Sequence, residues 1–299
     1  MQVNCLDDFC ASLGISEDCI TKHDLAQLDR DGYLVLQPDA NLARVEKLEE
    51  MRRVLDDLYE KEGARAGWEG LEFVIEREPG KLAEPGARRV NNLLNKHACF
   101  LPLIAMPQMI KAAQHVLKSE FRLSAVDMRD PFKGAGQQTM HIDWHPRMSD
   151  ADPFDCIMCY FAVDDVRMDN GPLRVVPGSH KKLDYPQEHI DITKSHPNEI
   201  FVEAKAGSRI IINSLLWHSG VNNKSGDHRR VIFIEYRKRT LPQLLNQQRY
   251  LSDDVKKSLN EAQAWLLGAG PKYPVDESKQ FGPGDAYRKR YPAKRSAHS

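Results

Sequence analysis

The 299-residue chain has no apolar run approaching the roughly 18 residues of a membrane span. It also lacks an excess of charge of either sign: 42 lysines and arginines stand against 43 aspartates and glutamates, a formal net charge of −1. Association driven by neutralising phosphates, on nucleic acid or on an anionic membrane, needs a basic excess that is missing here. The opening residues, Met1-Gln-Val-Asn-Cys-Leu-Asp-Asp, carry neither the basic flank nor the apolar stretch of a secretory signal, so a cytoplasmic protein is expected. There is no GxGxxG, no GxxxxGK(S/T) and no GxSxG, which removes the main support for nucleotide-driven and serine-hydrolase chemistry. No internal repeat is found. Cysteine is sparse, six residues at positions 5, 10, 19, 99, 156 and 159. Cys156 and Cys159 have CxxC spacing, but they sit in the apolar run Cys-Ile-Met-Cys-Tyr-Phe-Ala-Val. On a strand, positions i and i+3 point to opposite faces, so these two read as buried free thiols and not as a metal pair.

What is present is 41% hydrophobic residues, enough for a sizeable core and too many for a disordered chain. Thr21–Leu28 reads as a short helix ending at Asp31-Gly32, followed by strand-like Tyr33–Leu36. Between Asp39 and Glu62 the apolar positions Val45, Leu48, Met51, Leu55 and Leu58 recur every three or four residues, one face of a helix with Asp39 as N-cap. Glu76–Arg89 is rich in proline, glycine and charge and reads as loop. Another helix is expected over Pro107–Leu117, with proline at its first turn. From Phe121 the pattern changes to short β runs: Phe121–Met128, Gln138–Trp144, Cys156–Val163, Leu173–Val176, Ile200–Glu203, Arg209–Ile212 and Arg230–Tyr236. Ser252–Leu267 returns to helix, before a tail rich in Gly, Pro, Lys and Arg. Helices preceding a run of antiparallel strands predict an α+β fold with a jelly roll, a double-stranded β-helix of cupin-like form, flanked by N-terminal helices and a C-terminal helical segment. One domain over 1–299 is expected: a mainly helical part (1–120), a jelly-roll core (121–240) and a C-terminal helix and tail (241–299).

The chemistry points to Met140-His141-Ile142-Asp143-Trp144-His145 together with Leu216-Trp217-His218-Ser219-Gly220. On a strand, His141 and Asp143 leave from one face. A third ligand from a distant strand would complete two imidazoles and a carboxylate on one side of a metal, the ligand set of non-haem Fe(II) oxygenases. HxD alone is weak, and the chain holds a second one, His189-Ile190-Asp191, in a polar stretch that reads as loop. Arg229 lies eleven residues after His218 and opens the last β run. A hairpin through 222–227 would bring the two onto adjacent strands, where a buried guanidinium could clamp the far carboxylate of a dicarboxylic cosubstrate.

Four blocks in order resemble the phytanoyl-CoA dioxygenase (PhyH) family of Fe(II)/2-oxoglutarate oxygenases, over roughly residues 20–240. They are Leu25-Ala-Gln-Leu-Asp-Arg-Asp-Gly-Tyr-Leu-Val-Leu36, Gln138-Thr-Met-His141-Ile-Asp143, Asn170-Gly-Pro-Leu-Arg-Val-Val-Pro-Gly-Ser-His-Lys181, and Trp217-His218-Ser-Gly through Arg229. The resemblance implies Fe(II) ligands at His141, Asp143 and His218, a salt bridge from Arg229 to 2-oxoglutarate, and a cosubstrate contact at Gln138. It implies a small-molecule substrate and O2 as reactants, with no nucleic-acid or membrane partner. The chain departs from the family at Gly220, where some members carry a hydroxyl residue, and at Leu173, where others have threonine. Pro177–His180 reads as a structural turn, and Arg288–Arg290 as a solvated end. Trp144, His145 and Arg147 are candidates for the substrate entrance. Tyr160 and Phe161 must face opposite ways on their strand. Arg88, Arg89 and Asn92 could reach a substrate carboxylate or phosphate, but a solvated loop is the better reading of them. A zinc- or iron-dependent cupin-type hydrolase or lyase could use the same His/Asp/His set, without need of Arg229.

Overall fold

The computed structural model describes residues 2–67 and 82–269. Within these, the strands are β1 (Tyr33–Leu36), β2 (Ala87–Val90), β3 (Phe121–Pro131), β4 (Cys156–Ala162), β5 (Leu173–Val175), β6 (Ile200–Val202), β7 (Arg209–Asn213), β8 (His218–Gly220) and β9 (Val231–Lys238). The larger sheet has the order β1-β7-β4-β9-β3-β2 and the smaller β6-β5-β8, with antiparallel pairing in both. Together they form a jelly-roll α+β fold.

The helices are α1 (Leu6–Ser12), α2 (Lys22–Asp31), α3 (Val45–Glu62), α4 (Leu93–Lys96), α5 (Pro107–Leu117), α6 (Gln247–Tyr250), α7 (Asp253–Ser258) and α8 (Glu261–Leu267). The period-2 alternation of strands decides which side chains meet them. Ile157, Cys159 and Phe161 of β4, Ile211 of β7, Val126 and Met128 of β3, and Ile232, Ile234 and Tyr236 of β9 pack in one core with apolar positions of α1–α5 and α8. The alternate residues Met158, Tyr160, Ala162, Ile210, Ile212 and Val231 meet Val175 and Val202 of the smaller sheet. Both faces of the central strands are thus covered, and β4 is buried at every position. A fully buried side chain such as Leu55 of α3 contributes about 2 kcal/mol over an exposed one.

Local chemistry explains where elements start and stop. Thr21 and Asp24 form a reciprocal capping box at the start of α2, and Gly32, in the left-handed region at φ 79°, ends it. Pro107 occupies the first turn of α5 as expected. Asp39 does not cap α3, which begins at Val45. Its carboxylate instead accepts the Asn41 and Leu42 N–H groups and pairs with Arg209. The expected helix over 252–267 is two helices, because Asn260 and Gln263 exchange cap hydrogen bonds of 2.8 and 3.0 Å and start a new one. The Glu76–Arg89 loop lies outside the described residues up to position 81, and its last part is the strand β2, paired with β3. The tail beyond Ala269, with Arg288–Arg290, lies outside them altogether. Cys156 and Cys159 are buried free thiols. Among the described residues no helix is long and apolar enough to cross a membrane.

Candidate metal centre

A cavity of about 470 Å³ opens between the sheets. Its wall is the inward alternation of the large sheet: Ala125, Asp127 and Arg129 from β3, Met158 and Tyr160 from β4, Val231, Phe233 and Glu235 from β9. The segment before β4 supplies the first ligand groups. Gln138–Trp144 is not the regular strand expected; it follows β8 loosely, through Gln138 N–H to Gly220 C=O at 2.9 Å and a two-way bridge between His141 and His218 at 3.0 Å each. The Asp143 N–H then turns to the Ser214 carbonyl. This irregular path carries both side chains of the HxD to one place.

His141, Asp143 and His218 offer ligand atoms that all lie within 4.8 Å of one another. Each imidazole has Nδ1 at 2.8 Å from a carbonyl two residues earlier, Thr139 for His141 and Leu216 for His218. A carbonyl only accepts, so Nδ1 donates and the lone pair of each ring is placed on Nε2. Nε2 of His218 lies 3.2 Å from Asp143 Oδ2, and Nε2 of His141 lies 3.9 Å from Oδ1. The Tyr160 hydroxyl completes the group, 3.3 Å from His218 Nε2 and 3.5 Å from Asp143 Oδ2. Of the pair Tyr160 and Phe161, Tyr160 is therefore the inward residue. Two imidazoles and a carboxylate converging on one point suit a divalent transition metal.

Arg229 lines the same cavity and is 6% exposed. Its N–H is held by Asp130 Oδ1 at 2.9 Å, while Asp130 Oδ2 takes Arg88 and His228 at 2.7 Å each. These bonds outweigh burial and keep the Asp130 carboxyl below its usual range. The guanidinium of Arg229 makes no hydrogen bond or ion pair among the described residues, and its Nε is buried without a partner. Burial, and then the neighbouring Arg129, push its pKa down to about 9. An unpaired buried cation is costly, so this one fits a missing anion. Arg230 goes the other way, to Asp56 of α3 and to Asp164 at 2.7 and 2.9 Å.

The second HxD is elsewhere: His189 pairs with Asp184, and Asp191 with Thr193 and Lys194. His180 is buried beside Gly32 and Phe154. Trp144, His145 and Arg147 do not line the cavity. Trp144 donates to Asp155 and stacks on Arg237, His145 meets the Tyr185 hydroxyl, and Arg147 is tied to the carbonyls of Asp150 and Asp152. Gln138 does line it, with Oε1 accepting the Gly220 N–H at 3.0 Å. A Cβ at 220 would sit 2.9 Å from Arg129 Nη1 and 3.1 Å from Gln138 Oε1, so a side chain there requires those two to shift. Sequence reasoning missed Arg129 and Glu84, a buried ion pair with contacts of 2.6–3.1 Å in the cavity wall. Arg89, expected on a solvated loop, lies instead on β2 and lines the cavity, and the inward carboxylates Asp127 and Glu235 were missed.

Comparison with known proteins fits this geometry. An uncharacterized protein of Mycobacterium tuberculosis (strain ATCC 25618 / H37Rv) is 28% identical over 251 residues, covering 79% of this chain and 90% of its own. The ectoine dioxygenase of Bordetella bronchiseptica is 24% identical over 267 residues, covering 78% and 80%. HygX from Streptomyces hygroscopicus, solved with nickel and 2-oxoglutarate bound, shares the fold with a TM-score of 0.55 at 16% identity, covering 75% of this chain and 90% of HygX. The family model for phytanoyl-CoA dioxygenase (PhyH) matches residues 28–231, which span the metal-ligand cluster and Arg229, and the chain belongs to that family.

Proposed function

We propose that the chain is an Fe(II)- and 2-oxoglutarate-dependent oxygenase that hydroxylates, desaturates or cyclises a small or medium-sized organic molecule. One observation carries this reading: a His/Asp/His cluster and a buried guanidinium with no partner among the described residues share one cavity. His141 Nε2, Asp143 and His218 Nε2 would hold the iron. Arg229 would hold the far carboxylate of 2-oxoglutarate through two charge-assisted hydrogen bonds. With Gln138 Oε1 committed to Gly220, the amide N–H groups of Gln138 remain to donate to the cosubstrate. Bound there, iron and 2-oxoglutarate supply the activation of dioxygen, with release of succinate and carbon dioxide.

The protein's own part is placement and exclusion of water. Carbonyl contacts fix both imidazole tautomers, Tyr160 donates toward Asp143, and Asp130 anchors the backbone that presents Arg229. Residues 1–299 act as one catalytic unit on this reading, and the six free cysteines suit a reducing, cytoplasmic setting. The test is reconstitution with Fe(II): 2-oxoglutarate should be converted to succinate with uptake of O2, and zinc in place of iron should stop it. Ester or amide hydrolysis by the zinc form, with no 2-oxoglutarate consumed by the iron form, would establish the hydrolase alternative.

A further inference from the structure

Arg129 of β3 is 2% exposed and lines the cavity. Its guanidinium is only partly used. Nε and Nη2 hold the Glu84 carboxylate at 2.6–3.1 Å, and Nη2 also donates to the Gly136 carbonyl at 2.7 Å. Of the five N–H donors of an arginine, these contacts leave the pair on Nη1. Nη1 makes no hydrogen bond among the described residues. It faces Gly220: a Cβ there would lie 2.9 Å from Nη1, so the guanidinium fills the space that a side chain would take. The Gln138 amide flanks the same corner, with Oε1 3.1 Å from that Cβ position. The fixed plane of the guanidinium thus aims two donors into the cavity.

Register sets Arg129 beside Arg229. Arg129 pairs with Val231 of β9, and Arg229 stands two residues before Val231, so the two arginines are diagonal neighbours on the inward face. Burial first, and then Arg129, push the Arg229 pKa down to about 9, which places the two cations within electrostatic reach of one another. Glu84 is committed to Arg129, meets Arg89 only at 3.7 Å and makes no hydrogen bond to Arg229. Burial of Glu84 is outweighed by the hydrogen bonds from Arg129, so its carboxyl lies below its usual range and stays charged. Two neighbouring guanidinium groups with one such carboxylate favour a second anion in contact with both.

We infer that Arg129 is the second arm of the cosubstrate clamp: its Nη1, in the space left open by Gly220, donates to the same far carboxylate of 2-oxoglutarate that Arg229 holds. Glu84 orients this arm and offsets its charge, so the clamp gains a donor without a second uncompensated cation. The inference rests on the oxygenase reading of the same cavity and adds a specificity-determining residue to it. Two guanidinium groups on one carboxylate select a dicarboxylic 2-oxoacid over a monocarboxylic one.

The test compares 2-oxoglutarate with 2-oxopentanoate, which keeps the metal-chelating end and has a methyl group in place of the far carboxylate. Both are titrated calorimetrically into the full chain loaded with Mn(II), as wild type, Glu84→Gln and the double variant Arg129→Met/Glu84→Gln. The double variant strands no buried carboxylate, and thermal unfolding shows whether it folds. Relative to Glu84→Gln, it should bind 2-oxoglutarate about tenfold to a hundredfold more weakly and 2-oxopentanoate equally well, because only the first ligand loses a charge-assisted hydrogen bond. If the double variant does not fold, Arg129→Lys replaces it: the ammonium still meets Glu84 but lacks the planar second arm, so part of the preference for 2-oxoglutarate should go. A preference left unchanged in the variant read, or an equal loss for both oxoacids, would overturn the second arm. Should Arg229→Met abolish the preference in that case, the oxygenase reading stands without Arg129. No binding of 2-oxoglutarate by the wild-type chain would overturn both.

Discussion

At the residue scale, two arginines adjacent in sequence have opposite environments. Arg229 is buried against the cavity with no counterion among the described residues, whereas Arg230 is neutralised by Asp56 and Asp164. Arg229→Ala should therefore weaken 2-oxoglutarate binding by roughly 2–5 kcal/mol, on the order of 30-fold to several thousand-fold, with metal affinity retained. Arg229→Lys should fall between, because an ammonium cannot make the planar two-bond contact. Arg230→Ala should leave 2-oxoglutarate affinity near wild type and lower unfolding stability by about 1–3 kcal/mol, since it removes the contacts to Asp56 and Asp164 while Arg52 still pairs with Asp164 at 2.8 Å. Calorimetric titration and urea unfolding of the three variants separate these outcomes. Alanine at His141, Asp143 or His218 should abolish metal binding and turnover in a folded protein. His189→Ala, at the exposed second HxD, should retain both, as metal content and succinate release will show. Total loss in His189→Ala would place the metal site at the second HxD instead.

At the element scale, β8 is only three residues long, yet it carries His218 at one end and Gly220 at the other. Gly220→Ser would push a Cβ against Arg129, Gln138 and the Gly136 carbonyl. Overpacking of this kind costs about 1–3 kcal/mol, and the shift of β8 should weaken metal binding as well. Thermal unfolding and metal titration of Gly220→Ser check both, and wild-type behaviour would show that the wall yields. The same elements show what was legible beforehand. The long apolar runs that became β3, β4, β7 and β9 announce themselves by composition, and Pro107 and Thr21 mark true helix starts. β2 was hidden because Ala-Arg-Arg-Val is short and charged and follows a Gly/Pro-rich stretch. The break at Asn260 was hidden because its two helices run on from one another in a single polar-apolar pattern. His141, Asp143 and His218 stand in recognisable motifs. Asp127, Arg129 and Glu235 do not, because a charge on a strand turns inward only through register and the covering of both sheet faces, which no local spacing reveals.

At the scale of the whole molecule, the helical layer and the jelly roll meet at His180, whose Nδ1 is buried without a partner. Desolvation pushes its pKa down to about 4, whereas an unfolded histidine titrates near 6.5. Between those values the unfolded chain takes up a proton that the folded chain refuses. Stability is thus fully present above about pH 6.5 and falls as pH drops toward 4, by on the order of 3 kcal/mol. Urea unfolding across that window should show a flatter pH dependence in His180→Gln, and equal slopes would contradict this assignment. On the proposed reading, one cavity binds iron through His141, Asp143 and His218 and 2-oxoglutarate through Arg229. Its most direct test is an anaerobic titration of the protein with Fe(II) and 2-oxoglutarate, watched for a weak visible metal-to-ligand charge-transfer band. The band should saturate at one iron and one 2-oxoglutarate per chain, be absent in Asp143→Ala and be reached only at much higher 2-oxoglutarate in Arg229→Ala. No band in the wild-type protein, or identical titrations for wild type and Arg229→Ala, would contradict it.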